Sequence, residues 1–219
     1  MTKYINLHTH SFLNDSSILE IVNQYPWEFN ELIPNYSIGI HPWFIDEIRL
    51  ESDLRILKEK LLDKKCLALG ECGLDKRIAI PMTIQIEIFK KQIALVQETE
   101  KPIILHCVAA FDELIAIKKA LKIKNPMIIH GFSKNLEVAK TLFQHGFYIS
   151  FGKYLFKNED MEKVITFAPE NKIFIETDTL DMPISEVYEK AAFLRKISVE
   201  TLKEQICNNY NTIFKSNNS

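Results

Sequence analysis

Short runs of β-branched and apolar residues alternate along the chain with stretches in which apolar residues recur every three or four positions. The runs are Tyr4–His8, Ile18–Val22, Tyr36–His41, Cys66–Glu71, Ile103–Cys107, Met127–His130, Phe147–Phe151 and Ile173–Asp178. Their length and composition predict strands, Ile18–Val22 being the least regular. Between them, Leu50, Leu54, Leu57 and Leu61 share one helical face, as do Ile86, Phe89, Ile93 and Val96. Leu114, Ile117 and Leu121 continue the pattern, followed by Leu136, Ala139 and Leu142 with Gly146 as a C-terminal stop. Ser198 predicts the N-cap of a last helix lined by Leu202, Ile206, Tyr210 and Ile213. Strand–helix alternation predicts a parallel sheet. Eight such units in 219 residues predict a compact (β/α)8 TIM-type barrel, a single domain over residues 1–219. An open doubly wound sheet is the rival, but it normally carries a Gly-rich phosphate loop after its first strand. Here the first strand runs into His8-Thr9-His10-Ser11-Phe12.

Charge narrows the choice of partner. Lys plus Arg number 27 and Asp plus Glu 29, a net charge of −2. That balance argues against a basic coat for non-specific nucleic-acid binding. It leaves room for a nucleic-acid end or a nucleotide as substrate, because bound metals supply local positive charge. The longest uncharged apolar stretch, Pro102–Phe111, is far too short for a membrane span. The first residues show no long apolar core and no cleavage signature. Cys66, Cys72, Cys107 and Cys207 form no CxxC pair, and three lie in apolar runs, which predicts buried thiols in a reducing cytoplasm. No obligate protein partner is expected.

The chemistry lies in where the polar residues fall. Five of the six histidines end predicted strands: His8 with His10, His41, His106 and His130; only His145 falls in a helix. Glu71 and Asp178 end strands too. In a parallel barrel those ends share one rim, where active sites form. His8 and His10, two apart, face the same way, and paired imidazoles favour a shared cation. Alone, Glu71 more often pairs with Arg or Lys; among rim histidines its two oxygens suit metal and can bridge two cations. His106 and His130 are each readable as satisfied core histidines, and Asp178 as a turn residue; together they offer further ligands. Glu176, two residues before Asp178, either orients a ligand histidine or joins an internal ion pair. His41, fixed before Pro42, is either a substrate or phosphate contact or structural. Lys76, Lys134 and Lys153 follow strand ends and are either phosphate contacts or ordinary solvated lysines. Cys72 and Cys107 point away from the lumen and read as packing residues. No GxSxG elbow and no P-loop occurs.

In order and spacing these pieces resemble the TatD-type metal-dependent deoxyribonucleases of the amidohydrolase-like barrels. The matching segments are His8-Thr9-His10; Gly39-Ile40-His41-Pro42; Ala68 through Asp75; Gln85 with Phe89 and Gln92; Pro102 through His106; His130-Gly131-Phe132-Ser133; Gly146 through Gly152; Glu176-Thr177-Asp178; and Asn211 near Phe214. The resemblance implies that His8, His10 and Asp178 hold one metal, that His106 and His130 hold another, and that Glu71 bridges them. It also implies hydrolysis of phosphodiester bonds, typically exonucleolytic on DNA. The chain departs from the family around the site mouth. Lys76 stands where an aromatic is usual, and Cys107-Val108 where Ser-Arg is usual. Thr179 through Pro183 replaces a longer loop. An arginine fork grips phosphate and an aromatic stacks a base, so both losses predict a weakened hold on a DNA strand. The expected substrates are therefore DNA ends or small phosphodiesters, with His41 and Lys76 on the substrate side.

Two divalent ions bring four positive charges and Glu71 with Asp178 remove two, leaving a site suited to an anionic phosphodiester. Such ions lie about 3.5–4 Å apart and activate water, with Asp178 as the proton acceptor. Four nitrogens and two carboxylates suit Zn, Mn, Fe or Ni better than Mg. Two alternatives compete. One is a C–N or ester hydrolase of the wider amidohydrolase group, many of which bridge their metals through a modified lysine; no lysine ends the strand at His106. The other is an inactive barrel used for binding.

Overall fold

The computed structural model describes residues 2–214, so the two extremes of the expected 1–219 domain lie outside the described residues. The strands are β1 (Tyr4–Thr9), β2 (Ile18–Gln24), β3 (Tyr36–Ile38), β4 (Cys66–Asp75), β5 (Ile103–Val108), β6 (Met127–Ile129), β7 (Tyr148–Phe151) and β8 (Ile173–Ile175). The helices are α1 (Leu50–Lys60), α2 (Met82–Val96), α3 (Phe111–Ala120), α4 (Leu136–Gln144), α5 (Asp160–Phe167), α6 (Ile184–Arg195) and α7 (Val199–Ile213). The strands form one sheet in the order β1-β2-β3-β4-β5-β6-β7-β8. Sequential strands, parallel pairing and interleaved helices make this the (β/α)8 TIM-type barrel that the pattern predicts. Among the described residues no helix is long and apolar enough to cross a membrane.

The described chain divides into two compact units, one running to Val22 and resuming at Ile128, the other covering Asn23–Met127. In the first, Leu7, Ile149, Phe151, Phe174 and Ile175 are buried with Val187, Tyr188, Leu202 and Ile206. Two helices there, α5 and α6, lie outside the periodic stretches singled out above. Helix α6 begins directly after Pro183, in a segment whose Thr, Asp and Pro read as loop, and it buries Ile184, Val187, Tyr188 and Ala191. Its Tyr188 hydroxyl accepts from the Ile5 amide at 3.2 Å and donates to the Ile5 carbonyl at 3.0 Å, which ties the helix to β1. Helix α7 starts as expected, with the Ser198 hydroxyl accepting from the Thr201 amide.

In the second unit, Tyr36, Ile38, Leu69, Leu74, Ile103, Ile104 and Leu105 are buried with Leu57, Phe89, Ile93 and Leu114. Strand β4 is buried along its whole length and continues four residues beyond the expected end at Glu71, to Asp75. Gly73 permits this. It pairs with His106 of β5 at a φ of +143°, and any Cβ there would run into the His106 carbonyl. Cys66 and Cys72 are buried as expected, and burial pushes both thiols up; Cys107, expected to be buried with them, is only part-buried because it lies near the open end of β5.

Replacing Gly73 with Ala should therefore be expensive. Left-handed strain of about 1–3 kcal/mol adds to an overpacking cost of about 1–3 kcal/mol. Gly146, just after α4 at a φ of +75°, has open space around a Cβ, so Gly146→Ala carries only the conformational cost of about 1 kcal/mol. Urea denaturation of the two variants measures the difference, and equal losses would refute the packing account of Gly73.

Candidate metal centre

In the first unit the end of β8 is tied to the end of β1 by the main chain. The Asp178 amide donates to the His8 carbonyl at 2.9 Å and the His10 amide donates to the Asp178 carbonyl at 3.3 Å. Asp178 adopts a φ of +54°, a left-handed conformation that Asp tolerates better than most residues. Beneath it, Asn6 braces the same segment, accepting from the Thr177 amide and donating to the Thr177 hydroxyl. The carboxylate of Asp178 is thereby carried to the His-x-His pair. Its Oδ1 lies 3.9 Å from His8 Nε2 and 3.6 Å from His10 Nε2. His8 is fully buried, whereas His10, one residue past β1, is 30% exposed.

His130 follows β6 and sits against His8, ring centroids 4.4 Å apart. Its Nδ1 lies 3.5 Å from Glu176 Oε1, and that oxygen also accepts from the Gly131 amide at 2.6 Å. Glu176 thus stands beside His130, as either an orienting acceptor or an ion-pair partner. Lys153, readable from the sequence as a phosphate contact or a solvated lysine, meets Asp178 Oδ2 at 2.7 Å. Burial opposes charge on Asp178, but His130, His8 and Lys153 outweigh it and hold the carboxyl below its usual range.

The second unit builds its cluster around two carboxylates of β4. Glu71 Oε1 lies 3.2 Å from His41 Nε2 and 3.1 Å from His106 Nδ1, and the Glu71 amide donates to Asn23 Oδ1. On the far side of the His106 ring, Nε2 lies 3.1 Å from Asp75 Oδ2, which also accepts from the Trp43 indole at 2.7 Å. Burial pushes the Asp75 carboxyl up, but the Trp43 indole, the Arg77 amide and His106 together hold it below its usual range. Two buried glutamines of α2, Gln85 and Gln92, clamp this region. Gln92 accepts from the Ile40 amide and donates to its carbonyl; Gln85 does the same at Asp75. Both were noted as spaced residues, but their clamping depends on the fold. Asp75, Trp43, Asn6 and Asn23 carry parts of the two clusters that no strand-end rule marks. Lys76, expected on the substrate side, pairs with Glu113 at 2.6 Å.

The first cluster fits a divalent ion, and the second offers Glu71 and His106 to one. Ligand atoms about 2.1 Å from one ion stand roughly 3.0–3.4 Å apart. His8, His10 and Asp178 present atoms all within 4.8 Å of one another, as do His41, Glu71 and His106. The separations from Asp178 Oδ1 are too long for hydrogen bonds and near those of atoms sharing a cation. A neutral His106 that donates Nε2–H to Asp75 aims its Nδ1 lone pair toward Glu71, an arrangement that a cation reconciles and the carboxylate behind it supports. His41 differs. Its Nδ1 accepts from the Trp43 amide, so its proton sits on Nε2 and it donates to Glu71 rather than ligating.

A family model described as TatD related DNase matches residues 2–215. The chain is 35% identical over 165 residues to the uncharacterized metal-dependent hydrolase YabD of Bacillus subtilis, covering 73% of this chain and 62% of YabD. It is 29% identical over 196 residues to the uncharacterized metal-dependent hydrolase YcfH of Escherichia coli K12, covering 82% and 73%. It thus spans 55–62% of the length of YabD and of two similarly named relatives, from Haemophilus influenzae and Buchnera aphidicola. The crystal structure of YJJV, a TatD homologue of Escherichia coli, shares the fold with a TM-score of 0.84 at 22% identity, over 98% of both chains.

The depressed pKa of Asp75 sets an acid-stability test on metal-free protein. Its stabilising contribution is present above the unfolded carboxyl value of about 3.9 and is lost as pH falls through the lower folded value. Asp75→Asn should flatten the acid limb of stability, so that wild type and variant converge as pH falls below about 4. Urea denaturation between pH 2.5 and 6 reads this out; a constant gap across that range would contradict it.

Proposed function

The chain belongs to the TatD related DNase family, and from that premise we propose that it is a metal-dependent phosphodiesterase acting at DNA ends or on small phosphodiesters. The observation that carries this reading is the convergence of His8 and His10 on Asp178 Oδ1, matched by that of His106 on Glu71. In this reading His8, His10 and Asp178 hold one divalent ion, His106 and His130 serve the other, and Glu71 is shared. Zn, Mn, Fe, Ni or Mg are the candidates. Divalent ions bound there polarise a phosphoryl oxygen and lower the pKa of water.

The chain's own residues supply the rest. Asp178, whose carboxyl is held below its usual range, can ligate through Oδ1, and its Oδ2, which Lys153 meets at 2.7 Å, is the oxygen left to take a proton from the attacking water. His41 donates to Glu71 and fixes its rotamer. Asp75 holds the His106 ring in one tautomer. Lys153 neutralises the outer oxygen of Asp178 and raises the positive potential offered to a phosphate. A net charge of −2 argues against a basic coat, which favours ends and small esters over internal duplex sites. The buried thiols of Cys66 and Cys72 accord with a reducing, cytoplasmic setting.

Chelator-treated protein should lose hydrolysis of a short single-stranded oligonucleotide and regain it with Mn, Zn or Mg. Glu71→Ala should abolish activity and lower bound metal by more than one equivalent, whereas His145→Ala, at the C-terminal cap of α4, should leave both intact. Metal analysis with parallel assays on the oligonucleotide, a blunt duplex and a closed circular plasmid decides. Equal loss in both variants, or efficient nicking of the closed circle, would overturn the reading.

A further inference from the structure

We propose that Trp43 is a stacking platform for a nucleobase, making the site selective for base-bearing phosphodiesters. The inference rests on the phosphodiesterase reading above and names its substrate class.

Trp43 is 55% exposed, yet it is not loose. Its indole N–H is donated to Asp75 Oδ2 at 2.7 Å, and its backbone amide is donated to His41 Nδ1 at 3.1 Å. Pro42, at the start of the short helical turn Pro42–Phe44, fixes the backbone ahead of it. The ring stands nearly perpendicular to His41 and His106, with centroids 5.2 Å and 5.7 Å away. A large aromatic side chain is thus locked beside two histidines of the candidate centre while more than half of its surface faces water. A ring with no ligand would gain by packing down. A ring held open has lost its rotamer freedom before any ligand arrives, which lowers the entropic cost of binding a flat partner. The other tryptophan, Trp27, has no such freedom: Tyr25 stacks on it and Arg49 lies 4.0 Å over its ring.

A planar π-system joined to a phosphate is the ligand that fits a pinned indole next to His106 and Glu71. A nucleobase meets that description, and stacking accepts any base because each has a π-face. Trp43 thereby supplies a stacking face where Lys76, paired with Glu113, supplies none.

Two measurements test this on the full chain. In a Trp27→Phe background Trp43 is the only tryptophan. Thymidine 5′-monophosphate should then quench its fluorescence saturably, and deoxyribose 5-phosphate should not. In the metal-loaded enzyme, kcat/KM is compared for the 4-nitrophenyl ester of thymidine 5′-phosphate and for methyl 4-nitrophenyl phosphate. The preference for the base-bearing ester should fall about tenfold or more in Trp43→Ala and be largely kept in Trp43→Phe, as expected when a stacking face is removed or retained. If Trp43 served only to hold Asp75, both variants would lose activity on both esters alike and the ratio would not move; that result, or no selective quenching, overturns the proposal. Selective quenching in a protein that cleaves neither ester would support the platform and overturn the phosphodiesterase reading instead.

Discussion

Two main-chain hydrogen bonds, from the Asp178 amide to His8 and from the His10 amide to Asp178, decide where the end of β8 lies against β1. They also decide where a carboxylate meets a pair of imidazoles. Backbone polar groups inside a protein must be paired. With Asp178 in its left-handed conformation, its Oδ1 lies 3.9 Å from His8 Nε2 and 3.6 Å from His10 Nε2. The bracing of Thr177 by Asn6 serves the same end one residue earlier. The first unit therefore builds its cluster from backbone pairing, and the side-chain chemistry follows from it.

The second unit reaches a similar result by different means. Its strand β4 carries Glu71 and Asp75 on one buried run, and Gly73 between them lets β5 come close enough for His106 to touch both. The loops that approach this strand are held by amide side chains of α2. A glutamine that both donates to and accepts from one residue's backbone replaces a missing strand partner. The tautomers follow from this framework. A backbone amide occupies His41 Nδ1, so that ring donates through Nε2, whereas a carboxylate stands behind His106 and leaves its other nitrogen directed at Glu71. Two histidines facing the same carboxylate thus have different chemical parts.

The charges in both clusters are compensated locally. Asp178 is balanced by Lys153 and its histidines, Asp75 by an indole, an amide and an imidazole, and Glu176 by the Gly131 amide and His130. Buried carboxylates without such partners would protonate or destabilise the fold. With them, the acids remain available as ligands or hydrogen-bond acceptors. The relatives named as metal-dependent hydrolases accord with such a donor set.

Periodicity alone determined the alternation of strands and helices, because each element must bury one face and leave its mark every second or every third and fourth residue. The ligand-type residues were legible for the same reason: His8, His41, His106, His130, Glu71 and Asp178 each stand at or near the end of an apolar run. What the chain could not announce was set by contacts distant in sequence. Strand β4 passes Glu71 because a glycine meets a carbonyl of β5. Helix α6 lies where it does because Tyr188 meets Ile5, 183 residues away. Asp75 and Trp43 join the cluster because His106 lies between Asp75 and Glu71 and Trp43 reaches that same carboxylate. Lys153 and Lys76, alike in sequence as lysines after strand ends, part company only through the acids they meet, Asp178 and Glu113. Local pattern reports which face of an element is buried; which atom a polar group faces depends on the neighbouring strand, and only the tertiary structure decides that.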